Sequence, residues 1–252
     1  MIGLVAYTPT WARPEGTSDK HPPDDPAAFA AFAAQAALRY RSQGVHTWEI
    51  WNEPNLDVFW APAPDPQAYA HLLAGAADAI REIDHAAVVL TAGLSPAADD
   101  ADGSAIAPVS FLDALYEAGA ADHFDAVAMH PYSYPLSPVD AVPLNHFVTV
   151  TPQLRDVMVA HGDDDKLIWA TEYGAPTGTS NQAVDPAEQA AFLSEAFEQW
   201  IAWPWTGPLL VYSWRDRGTD EGEREDNFGL VDHDRRPKPA LETLTSLIET
   251  GS

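Results

Sequence analysis

Two glutamates in this chain each stand at the end of an apolar segment, where they could do acid–base and nucleophilic chemistry. Glu53 is the eighth residue of the stretch HTWEIWNEPN (residues 46–55), and Glu172 is the last residue of KLIWATE (residues 166–172). Pro54 cannot donate to a central strand ladder, so Glu53 must lie where a strand gives way to its loop. Two such carboxyl groups suit cleavage of a glycosidic bond, in which an acid and a nucleophile approach the anomeric carbon from opposite sides.

This chemistry requires one carboxyl group to hold a proton while the other stays ionised. Glu53 stands in the sequence neighbourhood of Trp48, Trp51 and Trp60, and an apolar setting favours the protonated form. Hydrogen bonds from polar neighbours would keep Glu172 ionised. The residues therefore favour Glu53 as acid/base and Glu172 as nucleophile.

The strand that carries Glu53 has a second candidate acid. Simple alternation places Glu49, Trp51 and Glu53 on one face and Asn52 on the other. We expect a bulge at Asn52 that turns Asn52 and Glu53 into the same pocket, because bulges re-aim side chains at barrel rims. Glu49 stays open as a rival to Glu53, and its other interpretation is a core-lining glutamate paired with an arginine.

Six apolar runs alternate with six alanine-rich segments that have helical periodicity. The expected strands are Ile2 to Tyr7, Val45 to Trp51, Ala87 to Ala92, Phe124 to His130, Lys166 to Tyr173 and Pro208 to Trp214. The expected helices are Pro26 to Arg41, Pro66 to Ile83, Val109 to Ala118, Pro152 to Ala160, Pro186 to Ile201 and Pro237 to Ile248. Several helices begin with a capping residue followed by proline. This order predicts an α/β fold with a parallel sheet, whose long loops from Pro9 to Pro26 and from Arg215 to Asp226 follow strands and carry chemistry.

Composition excludes several classes of function. The formal net charge of -25, from 38 acidic and 13 basic residues, would repel nucleic acid and anionic membranes and is typical of a solubility or high-salt adaptation. The absence of cysteine excludes disulfides and thiolate chemistry. No signal peptide precedes Ile2 and no apolar run reaches the length of a membrane span, so we expect a soluble protein of undetermined compartment.

The motifs WEIWNEPN, MHPY, TEYG and a late SW followed by NFGL and RRPKPA resemble those of the clan A glycoside hydrolases, closest to family 39 and related cellulase-like proteins. The resemblance runs from Ile2 to about Ile248. It implies a TIM-type (β/α) barrel, hydrolysis with retention of anomeric configuration, and no cofactor. Asn52 and Glu53 match the pair that ends barrel strand four, and Glu172 matches the glutamate that ends strand seven. A β-linked carbohydrate, xyloside- or glucan-like, is the implied substrate.

The same resemblance implies the supporting residues. His130 and Tyr132 match an element near the nucleophile, and Asn52 would bind the sugar 2-hydroxyl. Trp214 would offer an aromatic floor to the sugar, whose C–H face packs well on an indole. Trp11 and Trp60 are further candidates for sugar binding, although a loop tryptophan often only packs its loop down.

No metal site is expected. In the run from Asp99 to Gly103, a calcium-loop alignment would put Ala98 and Val109 at the first and last ligand positions, so we interpret it as a solvated loop. The run Asp163 to Asp165 is expected to be exposed. Histidines with zinc-site spacing, a phosphate loop and a serine nucleophile elbow are all missing from the sequence.

A complete barrel has eight strands, and six strand–helix units are visible. We therefore expect one glycoside hydrolase domain over residues 1–252, a partial barrel truncated at its N-terminus relative to the family. Its open sheet edges could support self-association, and a six-strand barrel closed directly between those two edges stays open as an alternative. The alternative to a retaining β-glycosidase is a catalytically impaired remnant that at most binds carbohydrate. A third alternative, an acidic scaffold without a site, leaves the two strand-end glutamates unexplained.

Overall fold

The structure, a computed structural model, describes residues 1–250 and contains a six-stranded sheet in sequence order. The strands are β1 (Ile2–Val5), β2 (Thr47–Ile50), β3 (Val88–Leu90), β4 (Ala126–Met129), β5 (Leu167–Tyr173) and β6 (Thr206–Val211). Strands β1 to β4 pair in parallel, beginning with Ile2 beside Thr47. The fold is the partial TIM-type (β/α) barrel that the strand–helix alternation predicts.

Six α-helices follow the strands one by one. They are α1 (Pro26–Tyr40), α2 (Pro66–Ile83), α3 (Pro108–Glu117), α4 (Thr151–Ala160), α5 (Pro186–Ala202) and α6 (Pro239–Thr250). Asp25, Asp65 and Asp185 cap α1, α2 and α5 by accepting hydrogen bonds from backbone N–H groups, and a proline follows each of them. The predicted capping chemistry is therefore confirmed at these three helices.

β5 ends at Tyr173 as predicted, whereas the other five strands end earlier, and backbone geometry explains this at β1 and β2. Tyr7, Trp51 and Glu53 all have positive φ, a left-handed conformation that cannot continue a strand. β2 consequently ends at Ile50, and the predicted bulge at Asn52 is wrong because the ladder has already ended there. The last strand is also displaced, since β6 ends at Val211.

The chain divides into two compact units. The first comprises Met1–Met129 with Leu154–Ile168, and the second comprises His130–Gln153 with the chain from Trp169 onward. In the first unit α1 buries only Phe29, Ala33 and Ala37, whose spacing of four residues forms a narrow apolar stripe. Close packing recurs at β1, where a side chain on Gly3 would collide with the ring of Trp48.

The second unit has an aromatic core. Phe147 packs against Tyr173 and Trp200, with ring centroids 5.0 and 5.6 Å apart. Phe147 lies in a π-helical turn, His146–Val150, that leads into α4 and is capped by the side chain of Asn145. This turn also buries His146, of which 9% is exposed and whose Nδ1 has no hydrogen-bond partner among residues 1–250.

Burial of His146 predicts a pH-dependent stability. Desolvation lowers the pKa of His146 from 6.5 to about 4, so the unfolded chain binds its proton at a higher pH than the folded chain does. Below pH 6.5 the unfolded chain takes up this proton while the folded chain does not, and the uptake lowers the free energy of unfolding. The contribution of His146 to stability is therefore lost as the pH falls toward 4. We expect His146 to account for a loss of about 2 kcal/mol in the free energy of unfolding between pH 7 and 5.

Urea unfolding at the two pH values measures this loss. Carboxylates titrate in the same range, so the decisive quantity is the difference between the native chain and His146→Leu, which cannot take up the proton. An equal loss of stability in both proteins would contradict the assignment to His146.

Candidate active site

Glu53 lies three residues beyond the end of β2 and is buried, with 8% of its surface exposed. Its φ of 47° is left-handed, an uncommon conformation for a residue with a Cβ atom, and Trp51 two residues earlier has a φ of 74°. The half-buried Asn52 stands between them. The unusual backbone therefore falls on the two neighbours of Asn52, at the position where the sequence predicted re-aiming of the side chains.

The backbone of Glu53 is held by Gly93, which lies three residues beyond the end of β3. Its N–H donates to the carbonyl of Gly93 over 3.1 Å, and the N–H of Gly93 donates to Oε1 of Glu49 over 2.8 Å. Glu49, of which 5% is exposed, thus accepts this hydrogen bond from a backbone amide. The sequence suggested an arginine as its partner. Sequence reasoning missed Gly93 because 44 residues separate it from Glu49.

Tyr69 of α2 makes a second connection between the same two strand ends. Its hydroxyl donates to the carbonyl of Ile50 over 2.9 Å and accepts from the N–H of Ala92 over 2.6 Å. Burial and the charge of Glu49 raise the pKa of Tyr69 well above its usual value, so this hydroxyl stays neutral and keeps its proton for Ile50.

The second asparagine of the motif, Asn55, is a clamp for the loop after Glu53. It is fully buried, and its amide donates to the carbonyls of Ser95 and Ile106 while its oxygen accepts from the N–H of Ser95. The motif itself does not indicate this role for Asn55. A polar side chain beside a loop proline was the available signal, because buried amides at such positions usually satisfy backbone groups.

Trp60 belongs to the core of the first unit. It is 2% exposed, and its ring packs edge-on against Trp51 at 5.1 Å and against Tyr69 at 5.8 Å. Such a ring has no free face for a sugar, so we assign Trp60 to packing. Trp11 differs, because 80% of it is exposed on a short 3-10 turn, Thr10–Ala12.

In the second unit, Glu172 lies near the end of β5 and its carboxylate has a tyrosine donor. The hydroxyl of Tyr132 donates to Oε2 of Glu172 over 2.8 Å, and Nδ1 of His130 lies 3.7 Å from the same oxygen. His130 is 1% exposed and directly follows β4, whereas it was predicted as the last residue of that strand. The structure therefore brings together three of the predicted site residues.

Aromatic packing fixes the ring of Tyr132. Tyr134, Tyr212 and Phe228 surround it with centroids 5.5 to 6.3 Å away and steep interplanar angles. Gly174 allows this arrangement, since a Cβ atom there would collide with the carbonyl oxygen of Tyr212. The hydroxyl of Tyr132 is thus aimed at Glu172 by a rigid setting.

Removing this hydroxyl tests its role. In Tyr132→Phe the carboxylate of Glu172 loses a charge-assisted hydrogen bond, and we expect kcat on aryl β-glycosides to fall about ten- to hundredfold. Steady-state kinetics measure the change, and Tyr134→Phe, which removes a neighbouring hydroxyl and keeps the ring, is the matched control. Equal losses in the two variants would contradict a specific role for Tyr132.

Trp214 lies three residues beyond β6 with 63% of its surface exposed, and not at the end of the strand as predicted. A buried ion pair anchors the loop that follows it. Nζ of Lys238 lies 2.7 Å from Oδ1 of Asp216, and the same amine donates to Thr177 and to the carbonyl of Asn227. The rarity of lysine in the chain was the signal that could have drawn attention to Lys238.

Among residues 1–250, no group of three or more acidic or histidine side chains is arranged to hold a metal ion. Asp163 is less exposed than predicted, because it accepts a hydrogen bond from Tyr116 and pairs with Lys166.

No helix within residues 1–250 is long and apolar enough to cross a membrane.

Comparisons with solved structures find the same fold. A family 39 glycoside hydrolase from the gut symbiont Bacteroides cellulosilyticus aligns at 24% identity and a TM-score of 0.72, over 94% of this chain and 48% of that one. A monomeric β-xylosidase from Caulobacter crescentus aligns at 21% identity and a TM-score of 0.64, over 91% and 48%. A glucosidase from Croceicoccus marinus aligns at 17% identity and a TM-score of 0.72, over 92% and 46%. The chain spans about half the length of these structures.

No curated protein sequence matches the chain significantly. The family comparison is the informative one, since residues 6–208 match the profile described as cellulase, glycosyl hydrolase family 5. This match contains both strand-end glutamates, Asn52, His130 and Tyr132. The chain therefore belongs to the cellulase family of glycosyl hydrolases.

Proposed function

We propose that this protein hydrolyses β-glycosidic bonds with retention of anomeric configuration, with Glu53 as acid/base and Glu172 as nucleophile. The observation that carries the proposal is the hydrogen bond from Tyr132 to Glu172. A hydroxyl donated to a carboxylate stabilises the ionised form, which is the form that a nucleophile needs. Family membership supplies the reaction class, and retention is the part that these residues add to it.

Burial favours the complementary role for Glu53. Only 8% of Glu53 is exposed, so little bulk water competes with a leaving group for contact with its carboxyl group, as general acid catalysis requires. Retention then requires Glu53 to act twice. It first protonates the leaving-group oxygen as Glu172 attacks the anomeric carbon, and it then deprotonates the water that releases the glycosyl group from Glu172.

Three further residues are proposed to bind the sugar. Asn52, adjacent to Glu53 and half buried, would hydrogen-bond the 2-hydroxyl, a contact that strengthens in the transition state. Trp214 and Trp11 have exposed rings that can each stack on the C–H face of a sugar. His130, buried beside Glu172, would help to orient the nucleophile.

The proposed substrate is a β-linked xyloside or glucoside. The solved structures of this fold include a β-xylosidase and a glucosidase, and they also include β-glucuronidases at lower TM-scores. An anionic uronic acid is disfavoured by the net charge of -25, which repels anions over the distances that salt leaves unscreened.

A panel of aryl β-glycosides tests the proposal directly. We expect the purified chain to release the aryl group from a xyloside or a glucoside, and we expect proton NMR of the first product to show the β-anomer before mutarotation. An initial α-anomer would overturn retention. Binding of an oligosaccharide without turnover of any glycoside in the panel would favour the alternative that the protein only binds carbohydrate.

A further inference from the structure

Glu49 is a buried carboxylate that the proposed reaction does not use. It lies on β2, four residues before Glu53, and it is 5% exposed. A carboxylate is costly to bury, and such a group persists in a core when its oxygens accept hydrogen bonds that the structure needs. The contact that Glu49 makes therefore indicates what it does.

That contact leads to Glu53 through a single residue. Oε1 of Glu49 accepts from the N–H of Gly93, and the carbonyl of Gly93 accepts from the N–H of Glu53, over 2.8 and 3.1 Å. Glu49 thus binds the N–H of Gly93, and the carbonyl of Gly93 in turn binds the N–H of Glu53. The two residues that competed for the role of acid in the sequence are coupled in the structure.

Glu53 needs such support because of its backbone. With a φ of 47° it occupies a conformation that a residue with a side chain adopts rarely, and such conformations persist only where the surroundings over-determine them. The bond to Gly93 is a direct restraint on the peptide that precedes the Cα atom of Glu53. The hydroxyl of Tyr69 restrains the adjacent residues, Ile50 and Ala92, from the side of α2.

We infer that Glu49 is a positioning residue, which orients the side chain of Glu53 by fixing Gly93. This inference rests on the proposed function, in which Glu53 protonates the leaving group. If Glu49 stops fixing Gly93, the carboxyl group of Glu53 is held less firmly, and the steps that depend on its proton become slower. Steps that need no acid should be affected much less.

Leaving groups of different basicity separate these two kinds of step. A dinitrophenyl glycoside departs without protonation, whereas an alkyl or unsubstituted phenyl glycoside requires the acid. In Glu49→Ala we expect kcat/KM to fall at least about tenfold more on the phenyl glycoside than on the dinitrophenyl glycoside, because truncation leaves a buried donor unsatisfied. Glu49→Gln keeps an acceptor oxygen and should recover most of this difference. A proportional loss on both substrates would mean that Glu49 supports only the fold.

A second measurement does not depend on turnover. Amide hydrogen exchange at Glu53 and Gly93 should become at least about tenfold faster in Glu49→Ala than in Glu49→Gln, while amides of α5 in the other compact unit stay unchanged. If Glu49→Ala does not fold, Glu49→Asp retracts the same carboxylate by one methylene group and should give the same local result. Unchanged exchange at both amides would overturn the inference. If the native chain hydrolyses none of the glycosides, the proposed function fails, and the exchange data still decide whether Glu49 positions Glu53.

Discussion

Replacement of Glu172 by glutamine should lower kcat on every aryl β-glycoside by at least about 10⁴-fold, whichever leaving group is used. The amide has the shape of the carboxylate but lacks the nucleophilic oxygen, so no glycosyl–enzyme intermediate can form. Its NH₂ group also leaves the hydroxyl of Tyr132 with a poorer acceptor. Stopped and continuous assays with dinitrophenyl and phenyl glycosides measure the loss.

The control for this variant is Glu195→Gln, which changes a glutamate that bonds the hydroxyl of Ser137 in the same compact unit. We expect it to retain activity, and circular dichroism should show that both variants are folded. Turnover of Glu172→Gln within tenfold of the native chain would remove Glu172 from the role of nucleophile. Azide added to Glu172→Ala provides a second check, because the truncated side chain leaves room for an external nucleophile, which yields the inverted α-glycosyl azide.

The second large effect is expected at Glu53, and it should depend on the leaving group. In Glu53→Ala, hydrolysis of a phenyl glycoside should fall by about 10²- to 10⁴-fold, the typical contribution of a general acid. The first step on a dinitrophenyl glycoside needs no proton and should remain fast. A burst of released dinitrophenol is therefore expected before slow deglycosylation. A series of phenols of graded acidity gives the slope of log kcat/KM against leaving-group basicity, and this slope should steepen in the variant.

A uniform loss across the phenol series would contradict the assignment of Glu53 as acid. Glu49→Ala, run beside it, shows whether the steeper slope belongs to Glu53 itself or to the network that holds it. Glu53→Gln completes the set, since it keeps the size and hydrogen-bonding capacity of the side chain and removes only the proton that can be transferred.

Local chemistry made the helices of this protein predictable. Asp65 followed by Pro66 starts α2 in the sequence and in the structure, because a capping carboxylate and a proline in the first turn act within a few residues. The strand ends were less predictable. The sequence WEIWNEPN indicates that the strand ends near Glu53, but whether Trp51 continues it depends on a φ angle that only the packed structure determines.

Contacts between distant parts of the chain could not be predicted. Glu49 and Gly93 meet across β2 and β3, and a single sequence gives no indication of which amide a buried carboxylate will find. The role of Trp60 was also not predictable from the sequence. Its place in the chain suited sugar binding, but its contacts with Trp51 and Tyr69 put it in the core. Residue type and spacing thus indicated the candidate catalytic glutamates and did not indicate which residues hold them.

The left-handed backbone of Glu53 sets folding stability against function at one position. A glutamate there is less favourable than glycine by about 1 kcal/mol, because a Cβ atom is crowded at positive φ. The backbone conformation at position 53 therefore favours glycine or asparagine, whereas the proposed reaction requires the glutamate. In a lineage that no longer needed the reaction, this selection would disappear and position 53 would be among the first to drift, so its identity is a sensitive record of whether hydrolysis is still under selection.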